Sequence, residues 1–176
     1  MNEKTLTNAK TRKTVRKWFW VWDFEKEEEW LNAMAQEGFV LVAVGFCRYT
    51  FEKCEPNEYT VRLEMHEYSQ EYIDFMQDSG AEYIGRMVQW VYFRKKTSLG
   101  KFDIFSDIDS RIEHLKKING FLLGVGILNL FCALNPLQEL AYLRMLNVLC
   151  AMLLAYAYGR IAERKAQLQK ERLLRE

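Results

Sequence analysis

Histidine is nearly absent from this sequence, with His66 and His114 its only two copies, and proline is equally scarce. Four cysteines occur, Cys47, Cys54, Cys132 and Cys150, but none pairs as Cys-x-x-Cys and none has a histidine nearby. That spacing excludes a zinc site of the usual kind and a thioredoxin-like redox site. The sequence has no apolar leader either: residues 1–17 are polar and basic, through Lys4, Lys10, Arg12, Lys13, Arg16 and Lys17. The expectation is a cytoplasmic N-terminus, with reduced thiols and no disulfide framework. An excess of one charge sign is missing as well, since the net charge is +1. A general nucleic-acid binder usually carries a strong basic excess, so nucleic acid is not an expected partner.

What the sequence does have is a sharp division. Its mean hydropathy of −0.26 resembles that of a soluble protein. The average conceals a charged, aromatic first two-thirds and a mostly aliphatic stretch over residues 118–158. From Ile118 to Leu134 there is no charge. As a helix this run would be about 25 Å long, slightly short of a hydrocarbon core of about 30 Å. Pro136 disfavours helix at Asn135, which places a tight turn over residues 135–139. Leu140–Tyr158 is a second run of membrane length, whose one charge, Arg144, lies near the turn and can extend toward the interface.

Arg111, Lys116 and Lys117 precede the first run, and Arg160, Arg164 and Lys165 follow the second. The positive-inside rule then predicts a two-span hairpin in the cytoplasmic membrane, with both termini cytoplasmic. Tyr142, Tyr156 and Tyr158 suit interfacial positions. Gly120 and Gly124 share a helix face and would let a neighbouring backbone approach, while Asn119, Asn129 and Asn147 could bond between helices. Gly120, Gly124, Asn129 and Asn147 are therefore the candidate packing residues within the membrane.

Ahead of the hairpin, alternation and helical spacing predict a strand over 16–23, a helix over 26–37, strands over 39–51 and 58–65, a helix over 69–78, and a strand over 81–94. Trp30, Leu31, Met34 and Ala35 fall on one face of the first helix, and Gly38 and Gly80 stop the two helices. The order is βαββαβ, so the expected class is α+β, a ferredoxin-like cytoplasmic domain followed by the transmembrane hairpin. MAQEG from Met34 and MQDSG from Met76 form a faint internal repeat, each leading into a strand with a Tyr-x-Phe or Tyr-Phe end. The boundaries read as a flexible basic segment over 1–15, the domain over 16–96, and a linker with a juxtamembrane helix over 97–117. The spans at 118–134 and 140–158 follow, then a basic tail helix over 159–176. Asp107 or Asp109 can cap the juxtamembrane helix.

A ferredoxin-like sheet leaves one face open. The alternation assigns Arg62, Arg86, Trp90 and Tyr92 to that face, as candidates for pairing with another subunit, for a protein partner or for a small ligand. No set of acid, base and nucleophile converges. His66, near Glu64 and Glu67, is the only hint of a general base, so no enzyme, catalytic residue, metal or cofactor is expected.

Several of these segments resemble the family called domain of unknown function 2812. They are EEEWLNAMAQEGFVL, the pair RYTFEK and EYTVRLEM, YIGRMVQWVYFRKK, and FSDIDSRIEHLKK, and the resemblance extends over about residues 16 to 117. Trp30, Leu31, Met34, Ala35 and Gly38, with the pair Asp109 and Ser110, are the most specific elements; residues 80–83 read Gly-Ala-Glu-Tyr where Gly-Trp-Glu would be expected. The resemblance implies a bacterial, chiefly Gram-positive, membrane protein without an established activity. It also implies proximity to PadR-type transcription regulators, and hence a sensing or regulatory role. The leading expectation is a non-enzymatic, membrane-tethered sensor or adaptor acting through a protein partner or as a homo-oligomer. The alternative is a ligand-binding or transport-accessory subunit of a larger membrane complex.

Overall fold

A computed structural model describes residues 12–105, 107–135 and 140–175. The chain divides into two compact units after Ile104. Part of the basic segment over 1–15 and most of the turn over 135–139 lie outside the described residues.

The first unit is mixed α+β, as expected, but it contains six strands rather than four. Strand β1 is Arg12–Arg16, helix α1 Phe24–Gln36, β2 Phe39–Gly45 and β3 Arg48–Lys53. Then come β4 at Tyr59–Met65, α2 at Gln70–Asp78, β5 at Ala81–Met87 and β6 at Trp90–Lys96. The strands form two antiparallel sheets, ordered β1-β3-β2 and β4-β6-β5. The single βαββαβ order is thus replaced by two successive βαββ units of identical topology.

The structural repeat is closer than the sequence repeat. Each helix ends before a glycine in the left-handed region, Gly38 at φ 84° and Gly80 at φ 85°. The offset that relates these glycines also relates the two register irregularities, between Leu41 and Ala43 in β2 and between Tyr83 and Gly85 in β5. A bulge kept at the same place in both halves bends both hairpins alike. Strands β2 and β5 meet: a side chain at Gly85 would begin 3.3 Å from Val44 Cγ1, and Arg94 donates to the Leu41 carbonyl at 3.0 Å.

Both hairpin turns fall inside stretches that read as one strand each. The first is Phe46–Cys47, with Cys47 at φ 51°, and the second Val88–Gln89, with Val88 at φ 56°. Neither holds the Asn-Gly or Gly-x that such turns favour, so the periodicity runs through them. The first strand also differs: it stops at Arg16, because its partner β3 begins at the facing Arg48. Residues 17–20 then run free of any ladder, before a short helical turn at Val21–Asp23.

Val88 is 75 % exposed, so only its backbone conformation is at stake. A β-branched residue at positive φ costs on the order of 1 kcal/mol. Val88→Gly and Val88→Asn should each raise stability by about that amount, whereas Val88→Ile should not. Urea unfolding followed by tryptophan fluorescence checks this, and an unchanged midpoint in both would count against a strained turn.

The second unit consists of α3, Ile108–Leu134, and α4, Ala141–Arg175. Asp107 caps α3 in a reciprocal box: its carboxylate accepts from the Ser110 N–H at 2.8 Å, and the Ser110 hydroxyl faces the Asp107 N–H at 3.3 Å. The juxtamembrane helix and the first apolar run are one continuous helix, and the second run continues into the tail. The helices are antiparallel neighbours: Gly126 approaches Leu154, and Asp109 pairs with Arg172 at 2.7 Å. Both helices are long and apolar enough to cross a membrane.

Candidate functional site

Helix α1 reaches both sheets, and the most unusual side chain of the first unit lies on it. Phe24, Glu27, Leu31, Met34 and Ala35 are its buried residues. Glu27 is therefore a carboxylate within an apolar stripe, only 5 % exposed. The Tyr49 hydroxyl donates to its Oε1 at 2.9 Å and the Tyr92 hydroxyl donates to the same oxygen at 2.7 Å. Tyr49 belongs to β3 in the first βαββ unit, and Tyr92 to β6 in the second. One carboxylate oxygen thus joins the two halves.

Aromatic rings surround this junction. Trp30 packs edge-on to Tyr49 and Phe51, at 5.0 and 5.6 Å between centroids, and Phe24 stacks on Trp90 at 5.3 Å. The surroundings are apolar, and desolvation dominates the electrostatics. Burial pushes the Glu27 carboxyl above its ordinary value, and the two hydroxyl donors offset only part of that rise. Burial and the neighbouring carboxylate push both phenols up as well, so Tyr49 and Tyr92 stay protonated as donors. Chemically, this cluster can hold or release one proton and couple that event to the fit between the halves.

Beside Glu27, α1 also closes an edge of the second sheet. Strand β4 is an edge strand, so half of its backbone polar groups lack a neighbouring strand. Asn32 takes that place: its Nδ2 donates to the Val61 carbonyl and its Oδ1 accepts from the Val61 N–H, both at 2.9 Å. One residue pair further along, the Leu63 N–H donates to Glu28 Oε2 at 3.2 Å. A helix side chain here imitates the hydrogen-bond pattern of a strand.

The four residues assigned to an open sheet face do not form one. Trp90 and Tyr92 are buried, packed toward Phe24 and Glu27 of α1. Arg62 pairs with Glu28 at 2.9 Å and donates to the Phe102 carbonyl at 3.0 Å. Only Arg86 is exposed, over the Tyr68 ring at 4.7 Å. The opposite side of the sheet packs Val91 and Phe93 against Ile73, Met76 and Phe102. Both faces are covered, because two helices serve a sheet of three strands.

His66 stacks on Tyr72 at 3.9 Å, and its Nδ1 lies 2.6 Å from the Glu67 carbonyl oxygen. Tyr72 in turn hydrogen-bonds Glu64, so these groups do meet, but around a phenol rather than a reacting centre. Among the described residues no group of histidine, cysteine, aspartate and glutamate is arranged to hold a metal ion.

In the helical pair, the close approach falls at Gly126, where an added Cβ would lie 3.7 Å from the Leu154 Cβ, whereas one added at Gly120 or Gly124 would meet nothing within 4 Å. Asn129 donates to Val125 of its own helix at 2.8 Å rather than across the pair. Asn147 is half-buried on α4. Asn119, by contrast, is buried with neither amide atom hydrogen-bonded among the described residues.

Sequence reading missed Glu27, Asn32 and Tyr49. The signal for Glu27 was present: it stands four residues before Leu31 and seven before Met34, on the apolar face, although the acidic first turn resembles ordinary dipole complementation.

A family model described as Protein of unknown function (DUF2812) matches residues 23–127. That stretch runs from the start of α1 through both hairpins into the apolar part of α3. No curated protein and no solved structure matches the chain significantly.

Proposed function

This chain belongs to the DUF2812 family, and on that premise we propose that it is a non-enzymatic sensor or adaptor anchored in the cytoplasmic membrane. The anchor holds the tandem βαββ unit at the inner leaflet, with both termini cytoplasmic. The unit acts there through a protein partner, for which a PadR-type regulator is the first candidate. One observation carries the membrane part. In the most apolar windows of α3 and α4 only 17 % and 11 % of residues are buried. Leu123, Ile127, Phe131, Met145, Leu149 and Met152 are each at least half exposed. A soluble core helix would hide such side chains, while lipid would cover them without any partner.

The sensing part is supported by the Glu27 junction. One buried titratable group ties Tyr49 of the first half to Tyr92 of the second, so whatever changes its charge, or prises Tyr49 from Tyr92, changes how the halves fit. The balanced charge, and a first unit in which the described acids, bases and nucleophiles do not converge, support a binding rather than a catalytic role. Crosslinking in the native host followed by affinity capture of the full chain from membranes should recover one stoichiometric protein partner, or a second copy of the chain. Recovery of neither, from membranes in which the protein is abundant, would overturn the adaptor reading.

A further inference from the structure

Residues 17–20, freed from the sheet where β1 ends, carry large aromatic side chains into solvent. Trp18 is 54 % exposed, Trp20 42 % and Phe46 of the facing hairpin turn 77 %. They are not scattered. Trp18 lies edge-on to both Trp20 and Phe46, at 5.3 and 5.9 Å, and Trp20 stacks on Trp22 at 4.9 Å. The Lys17 N–H donates to the Cys47 carbonyl at 3.2 Å and so pins the two segments together. The ridge is a fixed feature of one end of the first sheet.

Beside it stand Arg16 and Arg48, directly opposite each other on neighbouring strands. Facing residues of an antiparallel pair project to the same side, so the two guanidinium groups repel. Both side chains are exposed, and neither has a carboxylate partner among the described residues. The acids nearest in sequence are engaged elsewhere: Asp23, nearest to Arg16, is bound to Lys26 at 2.6 Å, and Glu52, nearest to Arg48, to Arg12 at 2.9 Å. The Lys17 ammonium covers Trp30 and Phe19, at 4.5 and 4.9 Å, on the flank of the same segment. Two unneutralised cations next to an exposed aromatic ridge are costly for the isolated unit, and an anionic, partly apolar partner would relieve both costs.

We propose that this end of the first sheet docks onto an anionic phospholipid surface. Trp18, Trp20 and Phe46 enter the headgroup region, and Arg16 and Arg48 meet lipid phosphates. The inference rests on the membrane anchoring proposed above, which keeps a bilayer within reach of the linker. Tryptophan rings favour the membrane–water interface, and arginines near an anionic leaflet are attracted to its phosphates. A second copy of the chain fits less well, since a symmetric contact would bring the arginine pairs of both copies together. A nucleic acid fits the rings, but the balanced net charge of the chain gives little attraction for its long polyanionic backbone.

The test uses the full chain reconstituted into vesicles of phosphatidylcholine, with or without phosphatidylglycerol, both containing nitroxide-labelled lipid. Tryptophan quenching should be about twofold stronger with phosphatidylglycerol, and should weaken at about 0.5 M salt. The gain should vanish in Trp18→Ser/Trp20→Ser and in Arg16→Gln/Arg48→Gln, all exposed positions where folding is preserved. Equal quenching in both vesicles would overturn the docking. Anchoring is read separately, by flotation after an alkaline carbonate wash: a chain that floats but shows no extra quenching retains its anchor and lacks the docking. A chain that does not float loses the anchoring reading. Its docking is then decided by reversible, salt-sensitive binding to phosphatidylglycerol vesicles, whose absence would overturn it.

Discussion

Replacing Glu27 by alanine is expected to lower the unfolding free energy by about 3–5 kcal/mol. Two fully buried phenols, Tyr49 and Tyr92, would lose their common acceptor. Each orphaned hydroxyl costs on the order of 1–3 kcal/mol, and a cavity is added where the carboxylate stood. Glu27→Gln keeps the volume and one acceptor oxygen, so its cost should be smaller, about 1–2 kcal/mol.

The pair of variants also separates charge from packing. The carboxyl is raised above its ordinary value of 4.5 in the folded chain, so the native state holds its proton to higher pH than the unfolded state. The resulting stabilisation is fully present below 4.5 and is lost as pH rises through the raised folded value. Wild type should therefore lose stability with rising pH across that window, and Glu27→Gln, neutral throughout, should lack this part of the slope. Urea unfolding at a series of pH values reads it. Parallel profiles for the two proteins would show that the junction does not titrate.

Asn32→Ala is expected to cost about 2–4 kcal/mol, because the N–H of Val61 loses its partner and its C=O keeps only a long 3.5 Å contact from Arg62. The consequence goes beyond stability. Without Asn32, strand β4 is uncovered at Val61 and keeps only the Glu28 contact at Leu63, so the variant should self-associate more readily than wild type. Asn32→Asp makes the comparison sharp. It preserves the acceptor for the Val61 N–H but sets a carboxylate against the Val61 carbonyl, so it should be at least as damaging. Denaturant unfolding with light scattering checks both effects, and an Asn32→Ala protein as stable as wild type would remove edge protection from the account.

Both predictions concern residues whose roles lie between elements distant in sequence, and that is where sequence reading reached its limit. The helices α1 and α2 were legible from their spacing and their glycine stops, and α3 and α4 from their length and apolarity. The repeat was legible at the MAQEG and MQDSG ends. The hairpins were not, since Cys47 and Val88 take up positive φ without being the residue types that announce a turn. Missing two turns turned a tandem βαββ arrangement into an apparent βαββαβ order. The same omission left Trp90 and Tyr92 on an open face, when α1 in fact covers them. Asn32 gave no sign of its role, because only the folded chain shows which strand has a free edge.

A sensor or adaptor at the inner leaflet requires the two apolar helices to cross the membrane as a hairpin, with the βαββ unit inside. Thiol labelling of intact cells with a membrane-impermeant maleimide tests this most directly. Cys47 and Cys54, half-buried in the first unit, should label only after permeabilisation, while a cysteine introduced by Leu137→Cys, between the helices, should label from outside. Labelling of Cys47 or Cys54 in intact cells, or protection of position 137 until the membrane is opened, would contradict it.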